Sequence, residues 1–476
     1  MNFSPYFIDH NLFFESDRPK GFDDLYSGLN TNSGNGLITT SLAKILGLSE
    51  FPGGIQNFFT CREASVDFEY VNSSYSHALL VLEDHLGGQW NFLEWSRMQA
   101  ILEKIDLPLI VFSLGSCGFH KTPEQIACEI CEEARNFFRY LSGRAVSMGV
   151  RGKTSAKVLD ILGASNYQVV GCPTYFEAGP GRWVVTPKVT ADSKVVANGW
   201  FVSNTLNNVH YVLQSEIELL RALIDLAPYP QADAIAFMET AWPNLPEKTL
   251  EALEVDRVRF YTNPLEWADF FDDSVALTVG TRMHGAIVSI NRCRPTIVTN
   301  PDVRAAEMCA LFKIPLYPGV NLSNASPGEL AEMADPSDLN FAYGELYENF
   351  RSWLIDTCHL PVPPEPLATL AWDIHQVKML PGPIVAERIR GAATAARAKV
   401  GQFQFDLEQC EKQKAEAQDQ LAALRQSYQA VLSELVTVQS QHEGGQVKLN
   451  AMQQSRSWRI TAPLRRIGAC LRRLHR

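Results

Sequence analysis

The sequence predicts two α/β domains with doubly wound parallel sheets, followed by a coiled-coil helix and a basic amphipathic tail. Three observations support this. Short apolar runs alternate with amphipathic stretches, an apolar heptad repeat follows, and the last 22 residues hold seven arginines and no acid. The chain has 476 residues, 46% of them hydrophobic, which is too long for one core and too apolar for a disordered chain.

The strand predictions rest on runs that are apolar at nearly every position, as in strands buried on both faces of a parallel sheet. They are Ala78–Leu82, Pro108–Leu114, Tyr167–Gly171, Val209–Leu213, Ala232–Met238, Val258–Tyr261, Val275–Val279 and Thr296–Thr299. Amphipathic stretches between them predict helices, for example Glu124–Leu141, Ser155–Leu162 and Glu216–Leu226. Such alternation is typical of a doubly wound α/β fold.

The stretch Glu177–Asn207 is rich in Gly and Pro, so it is predicted to be a linker. We therefore expect an N-terminal domain over 1–184 and a second domain over 185–390, with a cleft between them. The Pro-rich run Leu360–Pro366 is expected to end the second domain, and the helical segment after it to pack back on the first.

From Val400 to Val438, apolar residues recur three and four positions apart, which predicts a coiled coil over 395–443. Lys414 and Ala417 are the weak positions of this seam. A homodimer is the simplest assembly, and one long helix packed on its own body is the alternative. Gly444 and Gly445 are expected to end the helix.

Residues 446–476 predict a basic amphipathic tail, with Ile460, Leu464 and Ile467 on one face and arginine pairs on the other. An anionic membrane surface and a partner protein are equally compatible with this pattern. The net charge of −11 argues against a chain-wide nucleic-acid binder. Scattered cysteines and the lack of a signal-peptide pattern favour the cytoplasm, with peripheral contact at the inner face of the membrane.

The strongest candidate site follows the strand Val275–Val279, where Arg282 and His284 stand at the start of an apolar helix. Ligands of open α/β sheets bind beyond the carboxyl ends of strands. Arginine fits phosphate or carboxylate, and histidine transfers protons near neutral pH. The alternative is a structural arginine–carboxylate pair with a buried histidine.

Two further segments are candidates for binding an anion. Arg151 and Lys153 precede a predicted helix, and Lys153 is the more typical of a solvated surface charge. The loop 30–38, with Asn32, Asn35 and Gly36, provides amides at a helix start, although it is neither a GxGxxG motif nor a P-loop. No metal site or cofactor is expected.

These segments, in this order, resemble the polysaccharide pyruvyl transferase family. The resemblance rests on VRGKTSAKVLDILGASNYQVVGCPTYF (150–176) and VGTRMHGAIVSINRCRPTIVTNPDVRAAEMCALFKIP (279–315), and it covers about residues 25–345. The sequence departs from the family at Asn35, where an aspartate is common, and at Met283, where a leucine is more common. The ending SRSWRITAPLRR looks like tails of bacterial glycan-modifying transferases.

The resemblance implies a GT-B-like pair of domains that transfers pyruvate from phosphoenolpyruvate to a sugar as a cyclic ketal, in exopolysaccharide or cell-surface glycan biosynthesis. The acceptor would be a sugar or a lipid-linked oligosaccharide. Catalysis would involve His284 and Arg282, and substrate binding would involve the other candidates: Arg151, Lys153, Asn32, Asn35, Gly36 and Met283. The alternatives are a GT-B glycosyltransferase that uses a nucleotide sugar and a non-catalytic coiled-coil scaffold.

Overall fold

The computed structural model describes residues 3–199, 201–224 and 245–473. The predicted strand Ala232–Met238 lies outside these ranges. The chain divides into two compact units, residues 1–396 and residues 397–476. The first unit contains both sheets.

Within the described ranges each sheet has six strands, and all strand pairs are parallel. The first sheet has the order β2-β1-β3-β4-β5-β6 and contains β1 (Pro5–Ile8), β2 (Gly54–Ile55), β3 (His77–Val81), β4 (Leu109–Leu114), β5 (Ser147–Val150) and β6 (Tyr167–Val169). The second has the order β12-β11-β10-β7-β8-β9 and contains β7 (Lys194–Asn198), β8 (Val209–Leu213), β9 (Val258–Phe260), β10 (Val275–Gly280), β11 (Thr296–Thr299) and β12 (Leu316–Tyr317). The predicted fold class, two parallel-sheet α/β domains and a long C-terminal helix, is confirmed.

We call the part of the first unit up to β6 the first half and the part from β7 onward the second half. The helices of the first half are α1 (Phe22–Gly28), α2 (Gly36–Ile45), α3 (Phe68–Ser74), α4 (Trp95–Glu103), α5 (Pro123–Glu129), α6 (Glu132–Arg144) and α7 (Lys153–Leu162). Those that follow in the described residues are α8 (Ile217–Leu223), α9 (Leu245–Glu254), α10 (Pro264–Asp269), α11 (Met283–Asn291), α12 (Val303–Phe312), α13 (Pro327–Met333), α14 (Ser337–Ser352), α15 (Gly382–Gln454), α16 (Arg456–Ile460) and α17 (Ala462–Arg473). None of the described helices is both long and apolar enough to cross a membrane.

Both sheets have a topological switch point, where the strand order reverses. In the first sheet it falls between β1 and β3, and in the second between β7 and β10. Parallel sheets bind their ligands beyond the carboxyl ends of the strands at such points. A ligand site is therefore expected beyond the carboxyl ends of β1 and β3 and of β7 and β10.

An apolar cluster joins the two sheets within the first unit. It contains Phe112 of β4, Ile287 of α11, Met308 of α12 and Tyr343 of α14, all nearly inaccessible to solvent. The helix that carries the Arg282–His284 motif is thus packed against elements of the first sheet as well as its own, and this packing fixes its position.

The strands β7 and β5 are among those that the sequence analysis did not predict. The predicted linker Glu177–Asn207 contains β7, a central strand that pairs with β8 and β10. Its run KVVAN is short and is surrounded by Gly and Pro residues. The average composition of the stretch therefore resembles that of a linker although it contains a strand. β5, at Ser147–Val150, pairs with both β4 and β6 and was likewise not predicted as a strand.

The helix that packs back on the first sheet also differs from the prediction. It is α14, which precedes the Pro-rich run, and Nε1 of the following Trp353 donates to Ser147 Oγ at 3.0 Å. The residues after Leu360–Pro366 are irregular until α15 begins at Gly382, and the start of α15 packs in the second-sheet core through Val385 and Ile389.

Gly444 and Gly445 do not end the long helix, which continues to Gln454. Glycine in an exposed helix costs only about 1 kcal/mol relative to alanine, and the flanking residues are good helix formers. The break falls at Ser455, whose hydroxyl oxygen accepts from the Trp458 N–H and so caps α16. Serine is among the strongest N-cap residues.

The stretch Glu124–Leu141 is likewise not one helix. It forms α5 and α6, which are separated at Ile130 and Cys131, both in extended backbone conformations. The amphipathic pattern continues across this break, so the break could not be predicted from the pattern.

Candidate functional site

A small, nearly closed cavity of about 10 Å³ lies where the two switch points meet, with room for about one water molecule. Five of the sequence-predicted residues line it: Asn32, Arg151, Arg282, Met283 and His284. Three other residues complete the lining: Gln214, Arg304 and Met308. The lining comes from both sheets and from the loop 30–38, so we call this space the basic cavity.

Arg151 follows β5 and is only 1% exposed. Its backbone N–H donates to the Leu114 carbonyl at 2.9 Å, and its Nε donates to Ser113 Oγ at 3.0 Å. Its Nη2 is buried without a partner among the described residues. A buried guanidinium with an unused donor is costly unless a ligand or water completes it, so Arg151 is well suited to bind an anion.

Arg282 is the N-cap residue of α11, directly beyond β10. Both its Nε and its Nη2 donate to Glu216 Oε1, at 3.2 and 3.0 Å. The Arg282 side chain is 27% exposed, whereas that of Glu216 is 1% exposed. Arg282 therefore forms a structural arginine–carboxylate pair, which was the alternative to a functional role, and it also lines the basic cavity.

His284 is buried in the first turn of α11. Burial, together with the charges of Arg151 and Arg304, holds the pKa of its imidazole well below the usual value. No hydrogen bond to this ring is found among the described residues. The imidazole is therefore neutral at physiological pH, and one of its ring nitrogens is free to accept a proton.

Glycines around His284 permit its close packing. A side chain at Gly34 would lie 2.6 Å from His284 Nδ1, and one at Gly285 would overlap Asn198. Asn198 ends β7 at the switch point, and neither its Oδ1 nor its Nδ2 has a partner among the described residues. The glycine after His284 is thus required by Asn198, a buried polar group beside the site that the sequence did not single out.

The loop 30–38 connects the two sheets. Asn32 Oδ1 accepts from the Gly34 N–H at 2.9 Å, and the Ser33 N–H donates to the Gln214 carbonyl, beyond β8, at 3.1 Å. Of the other predicted residues, Asn35 is buried and its Nδ2 donates within the loop, and Gly36 begins α2. Those two shape the loop and do not line the basic cavity.

The N-terminus of α7 is already occupied by a carboxylate. Glu307 of α12 accepts from the Ser155 N–H at 2.9 Å and from the Ser155 hydroxyl group. This contact joins a helix of the first half to a helix of the second. Lys153, at the same helix start, is exposed and does not line the basic cavity.

Arg304 is a third arginine of the basic cavity, which the sequence analysis missed. Its Nη1 lies 3.1 Å from Asp84 and its Nη2 lies 3.0 Å from Asp302. Asp84 follows β3, so this arginine also links the two halves. Arg304 itself has no local signal, but its partner Asp84 does, because polar residues directly follow an apolar strand in LLVLEDH. The segment YFIDHN shows the same pattern.

No group of three or more His, Cys, Asp or Glu side chains in the described ranges is arranged to hold a metal ion. The chemistry of the basic cavity is that of guanidinium groups, amides and one neutral imidazole, which fits an anionic ligand.

Solved structures offer only a distant likeness. HepE of Anabaena in complex with UDP and glucose is 11% identical, covers 74% of this chain and 95% of its own, and has a TM-score of 0.32. MnaA of S. aureus in complex with UDP is 11% identical, with 64% and 81% covered and a TM-score of 0.30. At these scores the likeness carries no argument about function. No curated protein matches the chain.

The sequence profile of the polysaccharide pyruvyl transferases matches residues 10–302, more than half of the chain. This range begins just after β1, contains the loop 30–38, Arg151, Arg282 and His284, and ends just before α12. Because the profile covers more than half of the chain and these site residues meet in one cavity, the chain belongs to the polysaccharide pyruvyl transferase family.

Proposed function

We propose that this transferase moves pyruvate from phosphoenolpyruvate to two hydroxyl groups of a sugar, forming a cyclic ketal and releasing phosphate. The observation that supports it most is the basic cavity, where Arg151, Arg282 and Arg304 from both halves of the chain surround His284. Phosphoenolpyruvate carries a phosphate and a carboxylate, so it needs more than one cation.

The three arginines differ in how far their charge is already balanced. Arg282 is paired with Glu216, and Arg304 is paired with Asp84 and Asp302. Arg151 forms no ion pair with any described residue, and its buried Nη2 is unused. Arg151 is therefore expected to contribute most to donor binding, with Arg282 as a second cation of the cavity.

A proton from solvent adds to C3 of the donor as the C2–C3 double bond opens, and a sugar hydroxyl adds to C2 and gives up its own proton. A second hydroxyl then attacks C2, phosphate leaves with the electron pair of the C–O bond, and the proton of the second hydroxyl leaves with the phosphate. Neutral His284 accepts a hydroxyl proton, a role worth about 10²–10⁴ in rate. The arginines stabilise the charge that develops on the departing phosphate.

The basic cavity, at about 10 Å³, is too small for the donor. The two halves are held together there by Glu307 with Ser155 and by Arg304 with Asp84. Loosening of these contacts would admit substrates, and their return would exclude water from the reacting cation. A site closed to solvent suits this reaction, because water would react with the cationic intermediate.

The test is an assay of phosphate release with phosphoenolpyruvate and a panel of sugar acceptors, run beside an assay of UDP release from UDP-sugars. Phosphate release that needs both donor and acceptor supports the proposal. UDP release in its place would establish a nucleotide-sugar glycosyltransferase, and silence in both assays would favour the scaffold.

Two variants test the assigned roles. His284→Ala is expected to abolish turnover and to leave phosphoenolpyruvate binding largely intact, because the neutral ring contributes proton transfer rather than charge. Arg282→Ala is expected to weaken donor binding as well. A near-normal kcat in His284→Ala would show that its assignment is wrong.

We also propose that α15 forms a parallel coiled-coil homodimer. The helix spans 73 residues, about 110 Å at 1.5 Å per residue. Its seam is exposed along the described chain, with Leu407, Leu424 and Leu435 each about 60% exposed. Sedimentation should give twice the 53.1 kDa chain mass. Leu424→Lys should give a monomer, and the off-seam control Gln418→Lys should not.

The tail is proposed to bind anionic membranes. In α17 the exposed Leu464 and Ile467 alternate with Arg465 and Arg466. Binding of the full chain to vesicles that contain anionic lipid should fade as salt is raised, because surface charge is screened. Removal of residues 455–476 should abolish it; unchanged binding would contradict the proposal.

A further inference from the structure

Two buried carboxyl groups lie at the switch point of the first sheet. Asp9 follows β1 and Glu83 follows β3, and these strands are neighbours. Both residues are at most 1% exposed. Asn11 Nδ2 donates to the main-chain carbonyl of Asp9 at 3.0 Å and to Glu83 Oε1 at 2.9 Å, so it links the backbone after β1 to the Glu83 carboxyl group. The Asp9 carboxyl group itself accepts from the Phe58 N–H at 2.9 Å. We call Asp9 and Glu83 the carboxyl pair.

The backbone around the carboxyl pair is strained. Asp9, Asn11, Asn30 and Thr31 have φ angles of 70°, 54°, 48° and 63°, in the left-handed region. Such residues cost on the order of 1 kcal/mol each and collect at functional sites. Asn30 Nδ2 donates to Glu83 Oε2 at 3.1 Å, so two of the strained residues hold the same carboxyl group. This strain marks Glu83 as a group whose position matters.

The cluster also contains unused polar atoms. Asp9 Oδ2, Asn11 Oδ1, His85 Nε2 and Arg151 Nη2 are buried and have no hydrogen-bond partner in the part of the chain that the structure describes. The first two are acceptors, which a carboxyl proton can satisfy. The Arg151 atom is a donor, which an anionic ligand can satisfy.

The charged and titratable groups that act on the carboxyl pair come from three places in the fold. They are Asp84 and His85 after β3, Arg151 after β5 and Arg304 of α12. Asp84 is paired with Arg304. His85 is neutral, because burial lowers its pKa to about 4 and its Nδ1 accepts from the Glu83 N–H at 3.2 Å.

Arg151 is thus the one cation among these groups that has no carboxylate partner of its own. Burial raises the pKa of both Asp9 and Glu83, and for Glu83 the neighbouring Asp9 adds to this effect. Two buried carboxyl groups whose charges repel each other cannot both ionise readily.

We propose that Asp9 and Glu83 hold one proton between them and act as positioning residues, leaving the charge of Arg151 available to the anionic donor. Glu83 also fixes Asn30, at the start of the loop whose Gly34 contacts His284. The inference rests on the proposed function, since it takes phosphoenolpyruvate as the donor. When the pair loses its proton, a second negative charge faces Arg151 and competes with the donor.

The test compares phosphoenolpyruvate binding by calorimetry in the unmodified protein and in Glu83→Gln, from about pH 7 to about pH 9. Affinity of the unmodified protein should fall about tenfold, the effect of one neighbouring charge worth about one pKa unit. Affinity of Glu83→Gln should fall by clearly less, because only Asp9, whose pKa burial raises to about 7, still loses a proton over this range. Any protonation change of His284 or of the donor phosphate occurs in both proteins, so it cancels when their pH dependences are compared.

Asp9→Asn should behave like Glu83→Gln, and the exposed control Glu332→Gln should keep the pH dependence of the unmodified protein. Infrared spectroscopy provides a second readout without donor: the carbonyl stretch of a protonated carboxyl group should be present near neutral pH and absent in Glu83→Gln.

A missing carboxyl band, or the same pH dependence in the unmodified protein and in Glu83→Gln, would overturn the inference. A carboxyl band that depends on Glu83 in a protein that does not bind phosphoenolpyruvate at any pH would support proton sharing and would overturn the proposed function. The two failures are therefore distinguishable.

Discussion

The contact between Glu307 and Ser155 is predicted to hold the two halves of the first unit together, and a double-mutant cycle can measure it. Glu307→Gln keeps the shape and removes the charge. Ser155→Ala removes the hydroxyl group, which also accepts from the Ser116 N–H at 2.8 Å. Both residues are buried, with Ser155 fully inaccessible, so water cannot replace the lost bonds.

The magnitude follows from the two hydrogen bonds that Glu307 accepts. A bond to a charged group contributes about 1.5–3 kcal/mol and a neutral bond about 0.5–1.5 kcal/mol. Burial raises the pKa of Glu307, so removal of its charge recovers a desolvation cost that offsets the weaker bonds. The loss in Glu307→Gln comes instead from the acceptor count, because an amide offers one oxygen where the carboxylate offers two, and one bond to Ser155 is lost. The free energy of unfolding should therefore fall by about 1–2 kcal/mol in Glu307→Gln.

The assay is urea unfolding followed by tryptophan fluorescence, with Glu345→Gln, an exposed substitution on α14, as the matched control. The control should change the free energy of unfolding by less than about 0.5 kcal/mol. The coupling energy between Glu307→Gln and Ser155→Ala should be about 1–2 kcal/mol. A coupling energy below about 0.3 kcal/mol, the level of independent sites, would refute the reasoning.

Two other predictions concern glycine packing and pH. Gly34→Ala should lower kcat strongly, because the new methyl group would lie 2.6 Å from His284 Nδ1, whereas Gly143→Ala, on an open helix face, should be neutral or slightly stabilising; equal activity of the two variants would contradict this. Burial lowers the pKa of His10 to about 3. The contribution of the neutral ring to the free energy of unfolding is therefore complete above about pH 6.5 and is lost as the pH falls. At about pH 5 the loss is about 2 kcal/mol. His10→Asn keeps an acceptor for the Leu12 N–H and should flatten the dependence of unfolding free energy on pH; an unchanged slope would refute the assignment.

Much of the fold was predictable because parallel strands buried on both faces have a distinct pattern. Val209–Leu213 and Thr296–Thr299 form strands with the predicted bounds. β7 was missed because its five residues lie in a Gly- and Pro-rich stretch. Its identity as a central strand depends on pairing with β8 and β10, which no local pattern encodes.

The site was predictable as far as single segments reveal chemistry. Arg151, Arg282 and His284 stand at strand ends beside helix starts, and the structure brings them to one cavity. Asp9 and Glu83 are far apart in sequence and also follow apolar strands, but their importance comes from neighbouring strand order, burial and a shared asparagine. Those are properties of the folded sheet.

The central claim is that arginines from both halves bind one anionic donor. Calorimetric titration with phosphoenolpyruvate tests it most directly, in the unmodified protein and in the variants Arg151→Ala and Arg282→Ala, with Lys157→Ala, an exposed cation of α7, as the control. One donor should bind per chain, each arginine variant should bind at least about tenfold more weakly, and the control should match the unmodified protein. Unchanged affinity in either arginine variant would contradict the account.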